Sequence, residues 1–175
     1  YDNGARYAVF AQDISEAAYL ACSITAVAIS NSKSLYDEKH DKQTFVKKII
    51  LDNILPGDIY TKGREMQFQN EAKRVVYLIR TQERRDVALV DLLQRMYPDR
   101  QKDFVVTINE HEVVLVKELK TGDSREINRY AKEIDEAVQQ ELEAEHVLGI
   151  GAVAFVLKDI ARSFKEAQVA VEIGH

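Results

Sequence analysis

The clearest alternation of apolar and polar positions lies between Phe104 and Lys117. Two β-rich runs, Phe104–Ile108 and Val113–Lys117, flank the polar turn Asn109-Glu110-His111-Glu112, a pattern that predicts a β-hairpin. Upstream, Val75, Val76, Tyr77, Leu78 and Ile79 form an unbroken apolar run within Arg74–Arg80. Such a run predicts a central strand covered on both faces. Asp86–Tyr97 repeats at helical spacing, with Val90, Leu93, Met96 and Tyr97 inward, and Pro98 ends it. Beyond the hairpin, Asp123 followed three residues later by Glu126 is a capping box. The helix it opens runs to about Glu143, with Ile127, Tyr130, Ile134, Ala137, Val138 and Leu142 on one face. Val147–Phe155 predicts a fourth buried strand, whose two glycines permit close approach of another element. Lys158–Ile173 predicts a last helix, with Gly174 placed as its C-cap. From Arg74 onward the order is strand, helix, strand, strand, helix, strand, helix. Without the last helix this is the split βαβ pattern: an α+β, ferredoxin-like four-stranded antiparallel sheet with both helices on one face.

The first third is patterned differently. Tyr7–Ala11 and Tyr19–Cys22 are short apolar runs that predict a strand pair, the second leading into a helix. Ile24–Leu55 contains no Pro or Gly and predicts mostly helix, stopped by Pro56-Gly57. Its middle, Tyr36–Thr44, is strongly polar. In its second half Phe45, Val46, Ile49, Ile50 and Ile54 share one apolar face, with Asn53 beside them. Two readings of that face stand side by side: it packs on its own domain, or it pairs with a second copy. These five apolar residues are the candidate dimerisation site. Asp58 is placed to cap a short second helix ending near Phe68. The expected organisation is an N-terminal piece over 1–23, a helical linker over 24–70 and the sheet domain over 71–175.

Composition narrows the function classes. The net charge of −5 gives no electrostatic reason for this chain to bind nucleic acid itself. Cys22 is the only cysteine, so no internal disulfide forms, which suits a reducing cytoplasm. No apolar run reaches the roughly 18 residues of a membrane span.

Candidate chemistry is sparse. His40, His111, His146 and His175 stand in no metal-ligand spacing. His111 lies between Glu110 and Glu112, but a solvated turn outweighs a cation site there. No Walker A or G-x-G-x-x-G sequence is present, and Gly149-Ile150-Gly151 lies inside a predicted strand rather than before a helix. Cys22 and the serines have no recognisable base. Arg84, Arg85, Arg95 and Arg100 read as surface charge. No metal, cofactor or catalytic residue is expected from these patterns.

Three stretches carry a resemblance. They are LDNILPGDIYTKGRE (Leu51–Glu65), VVLVKEL (Val113–Leu119) and GIGAVAFVLKDIARSFKEAQVAVEIG (Gly149–Gly174). Together they resemble the GGDEF-like domain of PucR/CdaR-type bacterial transcription regulators, the sugar-diacid and purine-catabolism regulators, over about Lys42–Gly174. The resemblance implies an upstream ligand-sensing domain, of which Tyr7–Cys22 would be the last strands, and a connecting helix at Ile24–Leu55. It also implies homodimerisation, a cytoplasmic setting, and DNA contact only through a C-terminal helix-turn-helix that would begin after this sequence ends. The fold also resembles diguanylate cyclases. Those enzymes need acids in the first strand to bind metal, and a glycine-rich acidic turn that lets the nucleotide approach the backbone. Here the first strand is Val75-Val76-Tyr77-Leu78-Ile79 and the turn Asn109-Glu110-His111-Glu112 has no glycine. The expectation is a non-catalytic module, with two rivals: a domain that holds a small ligand near Arg74 or Arg80, and a residual enzyme.

Overall fold

A computed structural model describes residues 8–12 and 15–174, without the side chains of 34–40. It divides into two compact units, Tyr1–Asp41 and Lys42–His175. One helix, α1 (Glu16–Ile50), enters both. Ser15 opens it: the Ser15 hydroxyl accepts from the Ala18 N–H at 3.2 Å, as an N-cap does. The expected second strand, Tyr19–Cys22, therefore lies inside α1. Its letters are Tyr, Leu, Ala and Cys, and the flanking alanines favour helix. Further along, the Ser23 and Thr25 hydroxyls donate back to the Tyr19 and Ala21 carbonyls, so neither interrupts the ladder. Ala8–Ala11 forms no strand, and Tyr7 lies outside the described residues. Of the expected strand pair, the second run is helix and the described part of the first has no regular structure.

α1 stops earlier than its pattern suggested. Asp52 adopts a left-handed φ of 59°, and the Asn53 N–H returns to the Lys48 carbonyl at 2.9 Å. That is the usual way a helix exhausts its last carbonyls. Pro56 does not end α1 but opens α2 (Pro56–Glu65), where its missing N–H and fixed φ cost nothing. Leu55 before it is extended, as a residue preceding proline must be. Asp58 sits in the first turn of α2 rather than at the cap, favoured there by the helix dipole.

The sheet unit contains β1 (Glu71–Thr81), α3 (Asp86–Met96), β2 (Phe104–Asn109), β3 (Glu112–Glu118), α4 (Ser124–Ala137), β4 (His146–Ile150), β5 (Ala154–Val156) and α5 (Ile160–Ile173). A π-helical turn, Val138–Leu142, extends α4. Strand order is β2-β3-β1-β4, with β5 also on β1, and every pairing is antiparallel. This is the split βαβ sheet that the order of elements implied. Val75, Tyr77 and Ile79 pack with Leu89, Leu92 and Leu93 of α3 and Ile134 of α4. Val76 and Leu78 point the other way, toward Phe164, Ala167 and Val171 of α5.

The end of α1 completes that second face. Phe45, Val46, Ile49 and Ile50 are buried with Val76, Leu78 and Phe104, and Ile54 packs partly buried against them. Phe68 bridges the rings of Phe45 and Phe104, with centroids 5.4 and 5.1 Å away. The same turns guard the outer edge of β2: the Gln43 amide donates to the Val105 carbonyl and the Lys47 ammonium to the Thr107 carbonyl. Covering an edge strand in this way removes a template for unwanted pairing. The four residues Phe45, Val46, Ile49 and Ile50 of the candidate dimerisation face are therefore buried against their own domain in the single chain. By the same packing, residues 42–70 fall within the compact unit Lys42–His175.

The predicted strand Val147–Phe155 is broken into β4 and β5 by a short connection at 151–153. The cause is the closeness of α5. A Cβ at Gly149 would strike the Ala167 carbonyl, and one at Gly151 would strike the Ser163 carbonyl. At the break, the Val76 N–H donates to the Ser163 hydroxyl and the Gly151 N–H to the Val76 carbonyl. Glu166 accepts from the Ala152 N–H at 2.7 Å. The glycines and Ser163 of the third resembling stretch are therefore one packing device.

The capping box forms with a variation. Asp123 accepts from the Glu126 N–H at 2.8 Å. The Glu126 carboxylate does not return to Asp123; it gathers the N–H groups of Lys120, Thr121 and Gly122 and the Thr121 hydroxyl. Burial alone would push the Glu126 pKa up. The three backbone donors and the hydroxyl outweigh burial and hold it at about 2.

Two outcomes follow for solution stability. Gly151→Ala should destabilise the protein by about 2 kcal/mol, because the Ser163 backbone cannot retreat. Gly57→Ala, with nothing within 4 Å, should be neutral or slightly stabilising. Urea titration of both variants reads the contrast. For Glu126 the folded-state pKa is the depressed one, so its stabilisation is complete above about pH 4.5 and is lost as pH falls through about 2. Glu126→Gln should remove on the order of 2 kcal/mol at pH 7. It should also flatten the acid limb of stability between those two values, as measured by urea unfolding at stepped pH.

Candidate functional site

The hairpin turn, the end of β1 and the start of β4 meet at one end of the sheet. Pairing places them there: Ile79 lies opposite Val113 on one side and Leu148 on the other, and Thr81 lies opposite His146. The turn is closed by its own side chains. The Asn109 side-chain Oδ1 accepts from the His111 N–H at 2.9 Å, an Asx turn, while the Asn109 Nδ2 donates to Glu112 at 2.8 Å. Glu112 also receives Arg80, whose Nε and Nη2 lie 2.8 and 2.6 Å from Oε1. Arg80 keeps 27% of its side chain exposed and Glu112 10%. The Thr81 N–H donates to the His111 carbonyl, tying the turn to β1. Glu110 pairs with Arg84 at 3.2 Å.

On the far side of β1, the Gln82 N–H donates to the Glu145 carbonyl. The His146 ring is held between the Ala144 carbonyl and the Asp135 carboxylate, each 3.0 Å away. Arg80, Thr81, Gln82, the Asn109–Glu112 turn and the start of β4 line an open cleft of about 850 Å³. The cleft offers amides, a neutralised arginine and the exposed His111 imidazole, whereas both His146 ring nitrogens are already engaged. The carboxylates flanking His111 do not converge on it, since Glu112 turns to Arg80 and Glu110 to Arg84. Among the described residues no group of three or more His, Cys, Asp or Glu is placed to hold a metal ion.

The positions that would carry acids in a cyclase-like first strand are Val75 to Ile79, all with 0% exposure. Carboxylates there would be desolvated inside the core, at a cost of several kcal/mol. Arg74 and Arg80, considered together from the sequence, are not neighbours. They stand six strand positions, about 20 Å, apart. Arg80 opens on the cleft. Arg74 is sealed in the core, where Nη2 meets the Gln69 carbonyl at 2.8 Å and Glu118 at 3.3 Å. Its Nε and Nη1 have no hydrogen-bond partner. Burial lowers the Arg74 pKa, and Glu118 opposes that shift. The helix-flanking arginines are surface charge, each beside an acid or amide: Arg85 with Glu83, Arg95 with Glu141, Arg100 with Gln94.

Sequence reasoning missed two features. His146 reaches the hairpin end only because β4 pairs with β1 starting at that residue, and nothing local announces it. Lys117 is buried, clamped by both oxygens of Asp103 and lying 4.8 and 5.2 Å from the ring centroids of Tyr130 and Tyr97. A signal for Lys117 was present: it directly continues the apolar run Val113–Val116 of a strand buried along its length, where a lysine needs a partner.

The sequence profile of the GGDEF-like domain matches residues 52–173, most of the chain. No curated protein matches the chain. No solved structure matches it either. The matched span starts just after α1 and covers α2 through α5, including the complete sheet and the hairpin turn. On that match, and with the antiparallel split βαβ sheet behind it, the chain belongs to the GGDEF-like domain family.

Proposed function

We propose that this chain is a non-catalytic signalling module of a cytoplasmic, homodimeric bacterial transcription regulator of the PucR/CdaR type. In this reading it passes a metabolite signal from an upstream sensor to a DNA-binding helix-turn-helix outside the sequence. The observation that carries the non-catalytic part is the state of the hairpin end. The first-strand positions are filled by the core residues Val75 to Ile79, and the turn's polar groups satisfy one another through Asn109, Glu112 and Arg80. The resemblance of Leu51–Glu65 and Gly149–Gly174 supports the regulator part. Among the described residues no helix is long and apolar enough to cross a membrane.

Ligand binding upstream would act through α1, whose last turns are embedded in the core of the sheet unit. A shift between two arrangements then requires a signal that favours one of them by its own binding energy. The protein incubated with GTP and magnesium or manganese should release no pyrophosphate; turnover abolished by Glu112→Ala would overturn the non-catalytic reading. In the intact gene, about 60 to 100 codons past His175 should encode two short helices joined by a tight turn, with a basic excess. A frame without them would overturn the regulator reading.

The 850 Å³ cleft favours a second reading, a small-molecule-binding module. Titration calorimetry with dicarboxylates, purines and guanine nucleotides separates it from the first. Binding heat that disappears in Arg80→Ala supports the module. Absence of heat with all three classes removes it.

A further inference from the structure

With the Phe45 face withdrawn into the core, a homodimer needs another surface, and the first half of α1 supplies the pattern for one. Ala17, Leu20, Ile24, Val27 and Asn31 follow the alternating three- and four-residue spacing of a coiled-coil seam. All five are exposed: Leu20 by 59%, Ile24 by 61% and Val27 by 60%. The half-covered residues of this stretch, Ala18, Cys22, Ser23 and Ile29, fall at other positions of the repeat. A narrow stripe of this kind fits one facing helix better than the broad side of a sheet.

We propose that residues 17–31 of α1 pair in parallel with the same residues of a second copy of this chain. Three features of the sequence select that occupant. No charged residue lies between Glu16 and Lys33. In a parallel, in-register pair each residue faces its own copy, so a charge there would repel itself; none is present to do so. The flanking positions that name a foreign partner by charge are Ala21, Ser23, Ala28 and Ser30, which encode no such choice. Asn31 stands at a core position of the type where a single buried asparagine pairs with its own copy. There it selects a two-stranded parallel register at some cost in stability.

The size is informative too. Ala17 to Asn31 spans about 21 Å of helix. A seam of that length covers on the order of 400 Å² per copy, about half of what each partner gives to a stable interface. The pairing is therefore weak and reversible, set where a modest bias from a neighbouring domain decides it. The inference rests on the homodimeric part of the reading above and is independent of its DNA-binding part.

Sedimentation equilibrium of the 175-residue chain across a wide concentration range tests it. A reversible shift from 20.0 kDa toward twice that mass is expected. Leu20→Glu with Ile24→Glu should weaken association about 100-fold, with unfolding of the sheet unit unchanged. Asn31→Ile should tighten it about tenfold and relax its restriction to two strands. Val27→Cys placed in a Cys22→Ser background should crosslink under mild oxidation, because position 27 meets itself. The native Cys22, on the opposite side of the repeat, should not. A chain that stays monomeric at every concentration overturns the seam, as does crosslinking through the native Cys22 that matches that of the Val27→Cys variant. A dimer indifferent to the glutamate variants also overturns it while leaving the signalling reading intact. Pyrophosphate release from GTP would do the reverse.

Discussion

Five consecutive side chains of β1, Val75 to Ile79, are shut off from water, and the rest of the sheet unit is arranged around that requirement. One β-strand presents alternate residues to two faces, so a strand that is apolar at every position must be covered twice. α3 and α4 cover the odd-numbered residues, while α5 and the last turns of α1 cover the even-numbered ones. The backbone of β1 makes an equal demand. It pairs with β3 along one side, and with β4 and β5 along the other. Where β4 and β5 separate, the Ser163 hydroxyl takes the Val76 N–H that would otherwise be stranded. The glycines at 149 and 151 admit α5 closely enough for that hydroxyl to arrive.

Much of this was legible from short-range patterns. The β1 run, the hairpin and the box at Asp123 and Glu126 each state their structure within a dozen residues. What the sequence left open depended on partners far along the chain. An apolar face such as Phe45-Val46-Ile49-Ile50 looks the same whether a distant strand or another molecule covers it. Here the cover includes β1 and β2, roughly thirty to sixty residues on. Tyr19–Cys22 misled for the opposite reason, since four residues are too few to separate strand from helix by period. The split of Val147–Phe155 could not be read locally either, because its cause is the path of α5. The cleft is legible only after β4 is docked beside the hairpin, which brings His146 and Glu145 to the Asn109–Glu112 turn.

The polar end of the sheet is closed by its own side chains. In this chain Asn109 braces the turn, Glu112 neutralises Arg80, and the His111 carbonyl receives the Thr81 N–H. Each is an internal duty that occupies a donor or acceptor of the turn. The buried Lys117 and its aromatic neighbours repeat the theme on the α3 and α4 side. There a charge is kept inside by full pairing with Asp103.

The guarding of β2 by α1 has a consequence for synthesis. Lys47 leaves the ribosome sixty residues ahead of Thr107, whose carbonyl it will cover. At 5 to 20 residues per second, that interval lasts roughly 3 to 12 seconds. For that time the Phe45 face has no sheet to lie on, and its four large apolar side chains travel with a nascent chain that cannot yet close. A holding chaperone that recognises short apolar helices should find its best target on this protein there, and should lose it as soon as β2 and β3 have emerged.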